Sequence, residues 1–206
     1  MSGTLCRIVA AGDFSAQRFL ACAAQRPHTL LIAADAGYLA LSRLGLHPDL
    51  FLGDADSLGF FPTDVTCVPL PVEKDDTDTL AAVKEGLARG YADFELFGAL
   101  GGRRFSHSLA NLQTLLYAKR HGAACRLIDE SCTVFALQAE RCRISGAFSL
   151  FAADGAARVS VRGAKYPLEE GLLTPDFPLG VSNRALAGSA EITVHAGSVF
   201  VVTEQE

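Results

Sequence analysis

Two segments decide the fold: Leu30-Leu31-Ile32-Ala33-Ala34-Asp35-Ala36-Gly37, and then Leu50-Phe51-Leu52-Gly53-Asp54-Ala55-Asp56-Ser57. Each is a short apolar run that stops at an Asp/Gly cluster, which is the pattern of a strand running into a turn. Between them Tyr38–Leu44 has helical spacing. Strand, helix and strand in succession define a parallel pair with a crossover helix. The strands are placed at Thr29–Ala34 and Asp49–Leu52.

The same alternation extends in both directions. Upstream, Arg7–Ala11 reads as a strand and Ser15–Gln25 as a helix with Phe19, Leu20 and Ala23 on one face. Downstream, Val65–Leu70 is a strand. Asp76–Arg89 is a helix with Leu80, Val83 and Leu87 at helical spacing and Gly90 as its stop. Phe94–Phe97 is a strand, His107–His121 a helix ended by Gly122, and Cys125–Ile128 a strand. This describes a parallel sheet with helices on its faces. After about Asp129 the period becomes two, as in Val159/Val161, Ile192/Val194 and Val199/Val201. Turn signals at Ser145-Gly146, Asp154-Gly155 and Ala196-Gly197 separate the runs. The chain is therefore read as an α/β domain over 1–130 and an all-β domain over 131–206, the latter a small sandwich or a closed sheet.

Composition narrows the function classes. Half of the 206 residues are hydrophobic and a fifth are charged, a globular balance. The net charge of −5 argues against a nucleic-acid partner, which requires a basic surface. The longest early apolar run, Ile8–Ala11, is too short for a signal peptide or membrane span, so a cytoplasmic protein with no membrane partner is expected. The cysteines (Cys6, Cys22, Cys67, Cys125, Cys132, Cys142) form no C-x-x-C pair and read as small buried hydrophobes.

In an open parallel sheet, ligands bind beyond the carboxyl ends of the strands. Here those ends are acidic: Asp35, then Asp54 and Asp56, then Asp75, Asp76 and Asp78. Asp54 and Asp56 are two apart on a segment read as nearly extended, which would point both side chains the same way. Capping is the competing explanation: Asp75 or Asp76 can cap the helix that follows, and Asp35 the helix beginning at Tyr38. The Asp54/Asp56 pair is harder to dismiss, because two close carboxylates repel unless a cation lies between them. Mg²⁺ is favoured over Ca²⁺, since no EF-hand spacing is present, and over zinc, since no His/Cys ligand spacing exists.

One more loop lies on that edge. Gly98-Ala99-Leu100-Gly101-Gly102-Arg103-Arg104 follows a strand and precedes a helix, so glycine backbone, helix N-terminus and two arginines can meet an anion together. It matches neither the P-loop nor the dinucleotide fingerprint, and a surface turn with solvated arginines is the alternative. Carboxylates alone would repel ATP; with Mg²⁺ and arginines they would bind it.

These pieces resemble the thiamine pyrophosphokinase family. The matching blocks are Ala34-Asp35-Ala36-Gly37, Pro48-Asp49-Leu50 running into Gly53-Asp54-Ala55-Asp56-Ser57, and Lys74-Asp75-Asp76-Thr77-Asp78. Gly98–Asn111, Gly163-Ala164-Lys165-Tyr166-Pro167-Leu168 and Ser182-Asn183 complete the set, in the family's order. The resemblance implies a Rossmann-like catalytic domain, a C-terminal β-sandwich, a homodimer, ATP and Mg²⁺ as co-reactants, and AMP as by-product. Ala36 stands where the family usually has Gly, and Ala55 where it has Phe, with Phe51 or Phe60 available to fill that space. Aligned on His107, Arg104 takes the place of the family's Arg, Ser106 replaces its Asp, and one residue is extra.

On that resemblance Asp35, Asp54, Asp56 and Asp78 are the catalytic candidates, with Asp54, Asp56 and Asp78 as metal ligands. Lys74, Asp75, Gly101, Gly102, Arg103, Arg104, His107 and Asn111 are the ATP-binding candidates. Tyr166, Ser182 and Asn183 are the thiamine-binding candidates, in a site that the family forms between two subunits. Ser182 and Asn183 are expected to hydrogen-bond the aminopyrimidine. Two rival readings are a pyrophosphokinase for a hydroxymethyl pterin, opposed by Ser182-Asn183, and a non-catalytic sensor, opposed by the intact carboxylate set.

Overall fold

The computed structural model describes residues 4–55, 58–71 and 75–205. Contacts divide the chain into two compact units, Met1–Glu130 and Ser131–Glu206.

The first unit contains strands β1 (Leu5–Val9), β2 (Leu30–Ala34), β3 (Leu50–Gly53), β4 (Thr66–Pro69), β5 (Asp93–Phe97) and β6 (Ala124–Ile128). Its helices are α1 (Ala16–Gln25), α2 (Gly37–Ser42), α3 (Asp78–Ala88) and α4 (Phe105–Arg120). The strands lie in the order β6-β5-β1-β2-β3-β4, and every neighbouring pair is parallel. All their carboxyl ends therefore open on one edge. The chain winds outward from β1 through β2, β3 and β4, then returns to place β5 on the other side of β1. The order reverses between β1 and β5, the topological switch point where such sheets bind ligands.

Why these residues form these elements is seen in their buried faces. β1, β2 and β3 are buried at every position, as strands covered on both faces must be. Ser15 caps α1 by accepting from the Arg18 N–H, and Phe19 packs edge-on against Phe97 at 5.1 Å between ring centroids. Leu20, grouped with Phe19 from the sequence, is instead half-exposed, because adjacent helical residues point about 100° apart. The buried face of α3 is Thr79, Ala82, Val83 and Gly86, with Leu80 and Leu87 at its margins. Gly86 brings that helix onto β5, since a Cβ there would fall 2.5 Å from the Phe94 ring.

β1 begins two residues earlier than its apolar run, and it carries a fully buried Arg7. Its Nε donates to Glu95 Oε2 at 2.8 Å, and its Nη2 donates to the carbonyls of Cys22 at 2.9 Å and Arg26 at 2.7 Å. His28 Nδ1 stands 3.2 Å from Nη1. A charge so well satisfied does not interrupt a strand.

The second unit holds β7 (Cys132–Gln138), β8 (Arg141–Ile144), β9 (Ala147–Ala152), β10 (Ala157–Arg162), β11 (Leu168–Leu173), β12 (Gly180–Arg184), β13 (Ala190–Ala196) and β14 (Ser198–Glu204). They form two antiparallel arrays, β12-β9-β14-β7 and β11-β10-β13-β8. Leu137, Phe148, Leu150, Val199 and Val201 from the first share one core with Ile144, Val159, Val161, Ile192 and Val194 from the second. The pairs of period two in the sequence are thus the inward rows of these strands. Among the described residues no cysteine forms a disulfide. Burial pushes the thiol of Cys6 up to about 12 and that of Cys125 higher still. Among the described residues no helix is long and apolar enough to cross a membrane.

Candidate active site

At the switch point the backbones of the first unit meet closely. The hydrogen bonding between β1 and β5 continues past both strands: Gly12 N donates to Gly98 O at 2.6 Å, and Asp13 N to Leu100 O at 3.2 Å. The start of α2 presses against β1, where any side chain at Gly37 would collide with the Val9 carbonyl. Ala36, by contrast, has φ −60° and ψ −7°, an ordinary helical conformation that alanine accepts in place of the family's glycine.

Asp35 follows β2 in a left-handed conformation (φ 52°), its N–H donating to Leu52 O at 2.9 Å. It is buried. α2 is capped by Ala36 without any side-chain hydrogen bond, so capping does not explain Asp35. Asp54 follows β3, whose last residue, Gly53, lies so near Asp35 that a Cβ would be 3.3 Å from its Cα. The expected extended segment through Asp54 is absent. Ala55 has φ 60° and its carbonyl accepts from Leu58 N and Gly59 N, so the chain turns there and simple alternation cannot orient Asp54. Ala55 packs in a cluster with Phe51, whereas Phe60 is half-exposed, so of the two rings proposed to fill its space Phe51 is the neighbour. Asp56 and Lys74 lie outside the described residues.

The acidic run before α3 sorts itself by partner. Thr77 is the N-cap, its hydroxyl accepting from Leu80 N at 3.2 Å, so neither Asp75 nor Asp76 has that role. Asp76 is gripped by Lys84 through both oxygens, at 2.7 and 2.6 Å, and Lys84 also sits 5.4 Å from the Tyr117 ring centroid. Asp75 is exposed. Asp78 is the first residue of α3, where a carboxylate also favours the helix dipole.

The glycine loop lines one cavity with Asp35, Asp54 and Asp78. Gly98, Gly101 and Gly102 all have positive φ. Asn111 Nδ2 donates to Ala99 O at 2.6 Å, a buried bond that ties the loop to α4. Gly102 N donates to Asp13 Oδ2 at 2.8 Å, so this amide is engaged within the protein rather than open to an anion. Arg104 is the N-cap of α4 and provides no side-chain cap. His107 and Asn111, four residues apart in α4, share one face of that helix.

Together these walls enclose a cavity of about 890 Å³, within the size range of small-molecule sites. Asp35, Asp54, Asp76, Asp78, Thr77 and Thr79 line the acidic side, and Gly101, Gly102, Arg103, Arg104, His107 and Asn111 the basic side. Gly12, Ala34, Ala36, Gly98 and Ala99 also line it. Asp75 is not among the lining residues. Asp76 was weighed from sequence between capping and chemistry, whereas Thr77, Thr79 and Gly12 were not among the site candidates. Gly12 follows the end of β1, while Thr77 and Thr79 sit at the start of α3.

The donor set on the acidic side is all oxygen. That all-oxygen set fits a hard cation of the magnesium type, which takes one or two carboxylates and completes its shell with water and substrate phosphate.

In the second unit, Asn183 is buried and its carboxamide is directed at backbone. Oδ1 accepts from Tyr166 N at 3.0 Å and Arg184 N at 2.9 Å, and Nδ2 donates to Tyr166 O at 2.7 Å. Tyr166 is exposed, with Lys165 Nζ 5.2 Å from its ring centroid. Ser182 is exposed with φ 60°, and its N–H donates to Ser149 Oγ at 3.0 Å.

An α/β scaffold whose switch-point cavity is lined by both carboxylates and arginines is built to take an anionic, cation-bridged small molecule. Comparison with known proteins makes this specific. Residues 23–127 match the family model of the thiamin pyrophosphokinase catalytic domain. The thiamine pyrophosphokinase of Bacillus subtilis is 26% identical over 188 residues, covering 85% of this chain and 87% of that protein. The crystal structure of thiamine pyrophosphokinase from Bacillus subtilis superposes with a TM-score of 0.85 at 23% identity, covering 98% of this chain and all of that one. Thiamin pyrophosphokinase from Candida albicans has a TM-score of 0.78 at 13% identity, covering 99% of this chain and 90% of that one. The chain belongs to the thiamin pyrophosphokinase family.

Proposed function

We propose that the cavity at the β1/β5 switch point is where this chain performs the family's reaction: transfer of the diphosphate of ATP to the hydroxyl of thiamine, giving thiamine diphosphate and AMP. The observation that carries the reading is the meeting of Asp35, Asp54 and Asp78 with Arg103, Arg104 and His107 around one cavity of the family-matched unit.

Such a transfer depends on positioning and on neutralising charge more than on covalent participation by the protein. Asp54 and Asp78, with Asp56, would hold Mg²⁺, which when bound offsets phosphate charge. Asp76 is left out of that set because Lys84 already neutralises it. Arg103, Arg104 and His107 hold the phosphate oxygens, together with Lys74. The arginines do so as forked donors. Asn111 acts at one remove, fixing the loop through Ala99 O. One of the carboxylates accepts the proton leaving the thiamine hydroxyl. Tyr166 and Ser182 contribute to thiamine binding, and Asn183 holds Tyr166 in place. In fold terms the first unit is Rossmann-like and the second a small β-sandwich. The protein works as a cytoplasmic homodimer.

The direct test is purified protein with thiamine, ATP and Mg²⁺, the nucleotide products being separated. AMP with thiamine diphosphate is expected and should vanish with chelator. ADP with thiamine monophosphate would overturn diphosphate transfer.

A further inference from the structure

Asp13 is far from every acidic loop in sequence, yet its carboxylate closes the glycine turn on the basic side of the cavity. The turn has two consecutive left-handed residues, Gly101 (φ 67°) and Gly102 (φ 78°). Two glycines in succession leave the chain many alternatives, so the turn needs an external tie to hold one conformation. Asp13 supplies it. Its Oδ2 accepts from Gly102 N at 2.8 Å, while its own N–H donates to Leu100 O at 3.2 Å, so one residue grips the loop on both sides of Gly101. The fit is close, because a Cβ on Gly101 would collide with Oδ2. The carboxylate occupies the place that a side chain at position 101 would take.

The functional part of the loop comes directly after the turn. Arg103 and Arg104 line the cavity and, among the described residues, make no ion pair within the chain. Their aim is set by the backbone leaving Gly102. A carboxylate near a site for ATP is electrostatically unfavourable unless it performs a task, and here the task is visible in the geometry.

We propose that Asp13 is a positioning residue of the nucleotide site, holding the Gly101-Gly102 turn so that Arg103 and Arg104 face the phosphates. The assignment rests on the reading that this loop takes the ATP phosphates.

The test compares Asp13→Ala, Asp13→Asn and Arg104→Ala by steady-state kinetics with ATP and thiamine varied separately. Losing one loop hydrogen bond should raise KM for ATP about five- to tenfold in Asp13→Ala. KM for thiamine should stay within about twofold, and the melting temperature should be unchanged. Asp13→Asn retains an oxygen acceptor for Gly102 and should recover most of the affinity. An Asp13→Ala enzyme with unchanged or improved KM for ATP, while Arg104→Ala is impaired, would overturn the positioning role and leave the phosphate loop intact. Equal impairment in Asp13→Ala and Asp13→Asn would also overturn it, since charge rather than the hydrogen bond would then matter. No effect of Arg104→Ala on ATP use would remove the phosphate-loop reading and this proposal with it.

Discussion

Removing the acid from the buried Arg7–Glu95 pair should unfold the first unit more readily than any surface change. Arg7 has no exposed side-chain area and Glu95 only 9%, with Nη2 2.7 Å from Oε2. Solvent screening is therefore weak, and the discount appropriate to surface pairs does not apply. In Glu95→Leu the guanidinium remains enclosed with its carbonyl and imidazole partners but loses its nearest carboxylate. Stranding a buried charge in this way costs about 3–5 kcal/mol, a large part of the ~5–15 kcal/mol that keeps a domain folded. Arg7→Met should cost a similar amount, since it also releases the Cys22 and Arg26 carbonyls that end α1. The double variant removes both charges and should be less destabilised than either single one, losing about 2 kcal/mol for the two carbonyl bonds. The chain has no tryptophan, so urea unfolding is best followed by far-ultraviolet circular dichroism at fixed protein concentration. With a urea slope of about 2 kcal/mol per molar, the midpoint of Glu95→Leu should fall by about 1.5–2.5 M. A fall below about 0.5 M, or a double variant worse than the sum of the singles, would refute the argument.

Further outcomes rest on the same geometry. Asp54→Asn and Asp78→Asn should each lower kcat by on the order of 100-fold or more, with the metal-free melting temperature unchanged or raised as mutual repulsion is relieved. Both arginines line the cavity, and in the register aligned on His107 Arg104→Ala should raise KM for ATP more than Arg103→Ala; the reverse order would move the alignment onto Arg103. His28, held neutral first by burial and then by Arg7, has its pKa lowered from the ordinary 6.5. The unfolded chain therefore binds the proton more readily, so this contribution is complete above about pH 6.5 and is lost as pH falls through the lowered value. His28→Gln should flatten the decline in melting temperature between about pH 7 and 5, and parallel profiles for the two proteins would dismiss the assignment.

Much of the fold was legible because it is written in local patterns. Apolar runs ending at Asp or Gly became strands, and segments such as Ser15–Gln25 became helices, with Ser15 as the cap of α1. The inward rows of the second unit were visible as Val159/Val161, Ile192/Val194 and Val199/Val201, because alternation across a pleat needs no knowledge of partners. Arg7 was not legible. Its acceptable burial depends on Glu95, 88 residues away, and nothing near Arg7 in sequence announces that partner. Asp13 escaped for the same reason, since its bond to Gly102 spans 89 residues.

The site divides along the same line. Parallel strands bring all their carboxyl ends to one edge, so acidic residues at successive strand ends could be added together before any geometry was known. Which of them faces a ligand is a separate question, decided by backbone angle and by partner. Ala55 at φ 60° breaks the extended path on which the Asp54/Asp56 argument relied. Asp76 and Asp78 are indistinguishable as letters two apart, yet Lys84 neutralises Asp76 from the next turns of α3 while Asp78 opens that helix onto the cavity. Asn183, expected to hydrogen-bond the aminopyrimidine, has its carboxamide turned onto the backbone of Tyr166. In each case the residue type was the right one for polar chemistry, and its neighbour determined whether that chemistry is directed at the substrate or at the protein itself.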